Sequence, residues 1–93
     1  MRRSRVDSNH GDVTRALRGV GCSVLSIAPL RKGGDLLCAI SRTRTVIFEV
    51  KDGAKPPSAR KLTEDEQSFR ESWKGEWHVV NSVDEALAIV RQG

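Results

Sequence analysis

The stretch that decides the fold runs Asp-Leu-Leu-Cys-Ala-Ile (35–40), Ser-Arg-Thr-Arg (41–44), Thr-Val-Ile-Phe-Glu-Val-Lys (45–51). Two apolar runs separated by a short polar, basic turn predict an antiparallel hairpin, Asp35–Ile40 with Thr45–Lys51. Strand side chains alternate between faces, so Val46, Phe48 and Val50 point into a core while Glu49 and Lys51 emerge together on the other side. With the strands paired as neighbours, Asp35 comes beside Glu49. Two carboxylates and one ammonium at a sheet rim answer no packing need. They suit a hard divalent cation and a water activated against phosphate. A bare Glu-x-Lys is also an ordinary surface pair of little energetic value. Three features favour the chemical reading: both strands are strongly apolar, Asp35 starts its strand rather than sitting in a turn, and basic loops flank the cluster.

Upstream, Leu30–Gly34 is a basic loop, Arg31-Lys32-Gly33-Gly34, too short and irregular to match a nucleotide-binding fingerprint. Cys22–Ala28 predicts a first strand that Pro29 ends. Before it, Val13, Ala16, Leu17 and Val20 keep the spacing of an amphipathic helix, with Asp7 or Asn9 as N-cap and Gly21 as stop. Residues 1–6 form a basic arm expected to be flexible and to touch phosphate. Downstream, Lys55, Arg60 and Lys61 lie in a proline-stiffened loop beside the acidic cluster. Thr63–Glu66 is a capping box that opens a helix with Phe69 and Trp73 as its buried stripe, closed by Gly75. Trp77–Asn81 reads as a fourth strand. Ser82–Glu85 is a second capping box, and Val83, Ala86, Leu87 and Val90 give the last helix its apolar face. The order is α-β-β-β-α-β-α in one domain, with no repeat and no linker.

The 93 residues allow one small core. Net charge is +4, but its distribution says more. Residues 1–33 carry seven basic and two acidic side chains, residues 34–62 six and three, residues 63–93 three and seven. One basic face toward a polyanion, with the acidic end turned elsewhere, is one reading; an ordinary solvated surface is the other. Cys22 and Cys38 lie in apolar runs with no partner at metal-ligand spacing, as expected of reduced, buried thiols in a cytosolic protein. No signal peptide is expected, and no apolar run reaches membrane-spanning length.

Gly-Gly-Asp-Leu-Leu (33–37), Ile-Phe-Glu-Val-Lys-Asp-Gly (47–53) and Leu-Thr-Glu-Asp-Glu-Gln (62–67), followed by Trp73, Gly75 and Val79-Val80, resemble the PD-(D/E)XK nuclease superfamily. More narrowly they resemble its small stand-alone VRR-NUC members from phages and bacteria. The resemblance covers about Arg5 to Val90. It implies a restriction-endonuclease-like core, a mixed central sheet flanked by helices, over a single nuclease domain spanning residues 1–93. It implies Asp35 and Glu49 as ligands of Mg²⁺ or Mn²⁺, helped by the Val50 carbonyl, and Lys51 as the group that orients water and stabilises charge on the scissile phosphate. Gln67 takes a supporting catalytic place, and Asp12, or second Asp7, the place of a first-helix acid ligand. Where the family usually has proline before the aspartate, this chain has Gly34.

The physics agrees with that assignment, because phosphodiester hydrolysis needs charge neutralised on the non-bridging oxygens and a water made nucleophilic near neutral pH. The resemblance implies a metal-dependent DNA endonuclease selective for branched DNA such as a four-way (Holliday) junction; one small domain holds one centre, so cutting two strands calls for a homodimer. No organic cofactor and no membrane partner is expected; the expected setting is the cytoplasm of a bacterial host, with phage encoding an option that rests on the resemblance alone. Phosphate contacts fall to Arg2, Arg3, Arg5, Arg31, Lys32, Arg42, Arg44, Lys55, Arg60 and Lys61. His10 and His78 are disfavoured as base or ligand, and Phe69, Trp73 and Trp77 read as core rather than stacking platforms. A non-catalytic DNA-binding module on the same fold is the alternative, and a protein-interaction domain a third reading.

Overall fold

A computed structural model describes residues 8–92. Its main elements are α1 (Ser8–Gly19), β1 (Ser23–Ser26), β2 (Leu36–Ser41), β3 (Arg44–Val50), α2 (Glu64–Ser72), β4 (Glu76–Val80) and α3 (Val83–Arg91), with short 3₁₀ turns at Ala28–Leu30 and Pro57–Arg60. The architecture is α/β, with one four-stranded mixed sheet in the order β1-β2-β3-β4. β2 runs antiparallel to both β1 and β3, and β4 runs parallel to β3. A parallel pair needs a long crossover, which α2 supplies. Arg3, Arg5 and Asp7 lie outside the described residues.

The hairpin forms as its pattern predicts, Leu36 opposite Phe48 and Cys38 opposite Val46, with an irregularity between Ala39 and Ser41. On one sheet face Val24, Leu36, Cys38, Val46, Phe48, Val50 and Val80 are buried, covered by Val13 and Leu17 of α1 and Ala86 of α3. Fully burying a side chain such as Phe48, Leu17 or Leu36 contributes roughly 1.5–3 kcal/mol. Both cysteines are free and buried in this core. Burial, with Cys22 as neighbour, pushes the Cys38 thiol up to about 12, so it stays an inert hydrophobe.

Several boundaries depart from expectation. The α1 stripe stops at Leu17: Val20 lies in the turn, half exposed, and Gly21 adopts φ +97° to end the helix. Strand β1 is only four residues long because the chain turns into the Ala28–Leu30 segment, and the Ile27 N–H pairs with the Asp35 carbonyl instead. Helix α2 ends before Trp73, whose ring stacks on Phe69 at 5.3 Å and stays 42% exposed rather than entering the core.

The hairpin pattern implies a strand β3 buried on one face, yet Ile47 and Glu49 are as enclosed as Val46 and Phe48. β3 is a central strand, and a second layer closes over its other face. That layer is made by α2 and the Gly33–Gly34 loop. Gly33, at φ +122°, packs so closely on α2 that a Cβ there would lie 2.7 Å from Phe69 Cβ. Trp77, buried beside Ile47 in register, donates its indole N–H to the Gly33 carbonyl at 2.9 Å. Arg70 of α2 lies over the same indole.

Arg44, expected at phosphate, is committed to the fold. Its guanidinium forks onto Glu76 (2.8 and 2.9 Å) and donates to the Ile89 and Gln92 carbonyls at the end of α3. It joins β3, β4 and a helix C-terminus, whose unpaired carbonyls favour a cation. No helix among the described residues is long and apolar enough to cross a membrane.

Candidate active site

The strand ends set the site. Asp35 immediately precedes β2, with its N–H on the Phe48 carbonyl (2.9 Å) and its own carbonyl taken by Ile27. One carboxylate oxygen accepts the Val50 N–H at 2.7 Å, filling the place of the next ladder bond. Its backbone and carboxylate are therefore both fixed. Glu49 lies on β3 with 5% of its surface exposed. Lys51 follows β3; its N–H binds the Val80 carbonyl (2.9 Å), while Asn9 of α1 donates to its carbonyl at 2.6 Å and to that of Asn81 at 3.0 Å. Asn9, an expected cap, ties α1 to the ends of β3 and β4 instead.

At the side-chain level Lys51 Nζ lies 3.6 Å from Glu49 and 3.1 Å from Glu66. Glu66 is the third residue of α2 and completes the capping box with Thr63. The sequence reading gave it only a capping role. The box itself held the clue, since its glutamate must turn back toward the helix start, here toward the strand ends. Asp35, Glu49 and Glu66 line one open cleft of about 290 Å³ with Thr63, Asp65 and Arg31. A second cavity of about 630 Å³ shares Ala28, Arg31 and Asp35 and is bounded by His10, Ser26 and Val50. Arg31 walls both and is the one non-glycine residue with positive φ (55°) among the described residues. Thus His10, disfavoured from sequence, lies on a cavity wall with Asp35.

The electrostatics follow from burial and crowding. Burial, then the Asp35 charge, then Glu66, pushes the Glu49 carboxyl up to about 8, against a smaller opposing pull from Lys51. Partial burial also works against ionising Glu66, but the Thr63 N–H and the Lys51 ammonium hold it below the ordinary range. For Lys51, burial disfavours the ammonium, yet Glu66 and Glu49 outweigh it and raise its pKa. A hydrogen-bonded ammonium is thus fixed beside a carboxyl that resists ionisation.

The other expected residues are distributed differently. Val50 is buried and lines the larger cavity, its N–H spent on Asp35. Gln67 does not face the cleft: it is exposed and donates to Glu71, one turn along α2. Asp12 is exposed, pairs with Arg15, and lines neither cavity. Gln67 points away because consecutive helix residues are about 100° apart and Glu66 takes the inward position on α2, while on α1 it is Asn9 and His10 that reach the strand ends and the larger cavity. Lys32, Lys55 and Lys61 are exposed, and the Arg60 Nε is buried without a hydrogen-bond partner among the described residues. Gly34 has a packing reason: a Cβ there would stand 2.4 Å from Ile47 Cγ2, so Ile47 fills the space a side chain would need.

Among the described residues no three His, Cys, Asp or Glu side chains form a ready metal cage. Asp35 and Glu49 offer two carboxylates beside an open cleft, which is the donor set Mg²⁺ uses, since it keeps several waters and takes one or two carboxylates plus substrate phosphate. Comparison with protein-family models, with curated proteins and with solved structures finds no match to this chain.

Proposed function

We propose that the protein is a divalent-metal-dependent DNA endonuclease with a restriction-endonuclease-like core of the VRR-NUC kind, acting on branched DNA as a homodimer. The observation that carries the reading is the convergence of Asp35, Glu49 and Lys51 at one end of the β2–β3 hairpin, with Lys51 Nζ 3.6 Å from Glu49. Asp35 and Glu49 would hold Mg²⁺ or Mn²⁺. When bound, the cation supplies Lewis-acid stabilisation of phosphate oxygens and a water acidic enough to attack. The chain's own residues do the rest. Lys51 places a positive charge where the phosphate gains negative charge, Arg31 binds backbone phosphate from the wall between the two cavities, and the Val50 N–H keeps Asp35 aimed into the cleft. The exposed Lys32, Lys55 and Lys61, with Arg60 and the arm residues Arg3 and Arg5, supply sequence-independent phosphate contacts. The described residues hold one such cluster, so paired cuts across a junction call for two copies.

The test incubates purified protein with labelled four-way junction, flap and linear duplex in Mg²⁺, Mn²⁺ or EDTA, beside Lys51→Ala. Metal-dependent cleavage lost in the variant supports the reading, and paired symmetric cuts confined to the junction support resolution by a dimer. Salt-sensitive binding without cleavage makes the protein a DNA-binding module on this fold. Neither binding nor cleavage leaves the interaction-domain reading.

A further inference from the structure

We infer that Glu66 is the positioning residue that holds Lys51 in the site, an inference that rests on the nuclease reading above. The Glu66 carboxylate oxygen Oε1 accepts two hydrogen bonds, from the Thr63 N–H at 2.9 Å and from Lys51 Nζ at 3.1 Å. The Glu66 N–H in turn donates to Thr63 Oγ1 at 3.1 Å. The start of α2 therefore fixes the carboxylate, and the carboxylate fixes the ammonium. This matters because a lysine ammonium sits on a flexible four-carbon stem and makes a poor fixed charge unless tethered.

Of the two acids around Lys51, Glu66 is the nearer, at 3.1 Å against 3.6 Å for Glu49. Glu49 is the one assigned to the cation, and once its oxygens are engaged the Glu66 contact is what remains to aim Lys51. Gln67 cannot substitute, because it is exposed and bonded to Glu71. The capping box thereby acquires a second task. It starts the crossover helix and transmits the helix position to the catalytic charge.

Two measurements test this. The first compares Glu66→Ala and Glu66→Gln with wild type in metal-dependent cleavage, with Mn²⁺ binding followed by electron paramagnetic resonance. Glu66→Ala should lower kcat about 10- to 100-fold, the scale of a misplaced catalytic group, with KM for DNA and Mn²⁺ affinity changed less than about threefold. Glu66→Gln, whose amide oxygen can still accept both N–H groups, should recover most of that loss. An unchanged kcat in Glu66→Ala overturns the inference, as does a loss of Mn²⁺ affinity matching the loss of rate, which would make Glu66 a ligand. The second needs no nuclease activity: a double-mutant cycle of Lys51→Met and Glu66→Ala, each of which removes the contact, read by thermal midpoints in EDTA. Held together, the two residues give non-additive shifts; additive shifts overturn the inference whatever the activity. If the wild type cuts nothing while the cycle is non-additive, the nuclease reading falls and the Glu66–Lys51 coupling is upheld.

Discussion

Glu49→Gln should make the metal-free protein more stable at alkaline pH while abolishing cleavage. Glu49 has 5% of its surface exposed, and its folded-state pKa stands at about 8 against an ordinary value of 4.5. Because the folded value is raised, the folded state holds a proton that the unfolded chain releases more readily. That stabilisation is complete below pH 4.5 and disappears as pH rises to about 8. At about 1.4 kcal/mol per pKa unit the ceiling is on the order of 5 kcal/mol. The Asp35 charge and Glu66 share in setting the Glu49 value, so we expect on the order of 2–3 kcal/mol to follow Glu49 itself. The isosteric amide removes the need to ionise in this enclosed position. Urea denaturation in EDTA between pH 5 and 9 reads the effect as the difference between wild type and variant. The difference should grow with pH in favour of Glu49→Gln, reaching on the order of 2–3 kcal/mol, and parallel thermal melts should show a gain of roughly 10 °C or more for a domain of this size. Parallel pH profiles, or a variant less stable than wild type at pH 8.5, would refute the reasoning. Such a trade, stability given up where function needs a charge, is the usual mark of a working site.

Three further perturbations reach other parts of the molecule. Arg44→Lys keeps the charge but loses the fork onto Glu76 and the bonds to the α3 carbonyls, and should lower the urea midpoint in chemical denaturation. Arg44, and then His78, hold the Glu76 carboxyl down to about 2, so this contribution is present above pH 4.5 and is lost as pH falls toward 2; acid titration of Arg44→Lys should show a flatter profile there than wild type. Trp77→Phe keeps most of the ring but leaves the Gly33 carbonyl without its indole donor, and should cost about 1 kcal/mol in thermal melts and slow cleavage by loosening the approach to Asp35. Gln67→Ala and Asp12→Ala should each change the cleavage rate less than about twofold, since neither side chain faces a cavity; a loss of about tenfold or more in either would overturn the helix register described here.

What could be read from the chain, and what could not, divides along the range of the interaction. Strand alternation and the capping boxes are local signals, and they placed the β2–β3 hairpin, α2 and α3 within a residue or two of their observed ends. They also brought Asp35, Glu49 and Lys51 to one place, because a hairpin register is itself local. The second layer was not legible. Nothing near Ile47 announces that Gly34 leaves room for it, or that Phe69 rests on Gly33, because those contacts join segments far apart in sequence. The same gap explains Glu66 and Gln67. A glutamate three residues after a threonine is fully accounted for by the cap, and the place expected for Gln67 rests on the family resemblance, with no local signal of its own. The structure assigns the same carboxylate both duties, with Thr63 at 2.9 Å and Lys51 at 3.1 Å on one oxygen. A capping box that opens a crossover helix beside a strand-end lysine is therefore a pattern to test for a second role, because the helix start that satisfies the box also sets where its carboxylate can reach.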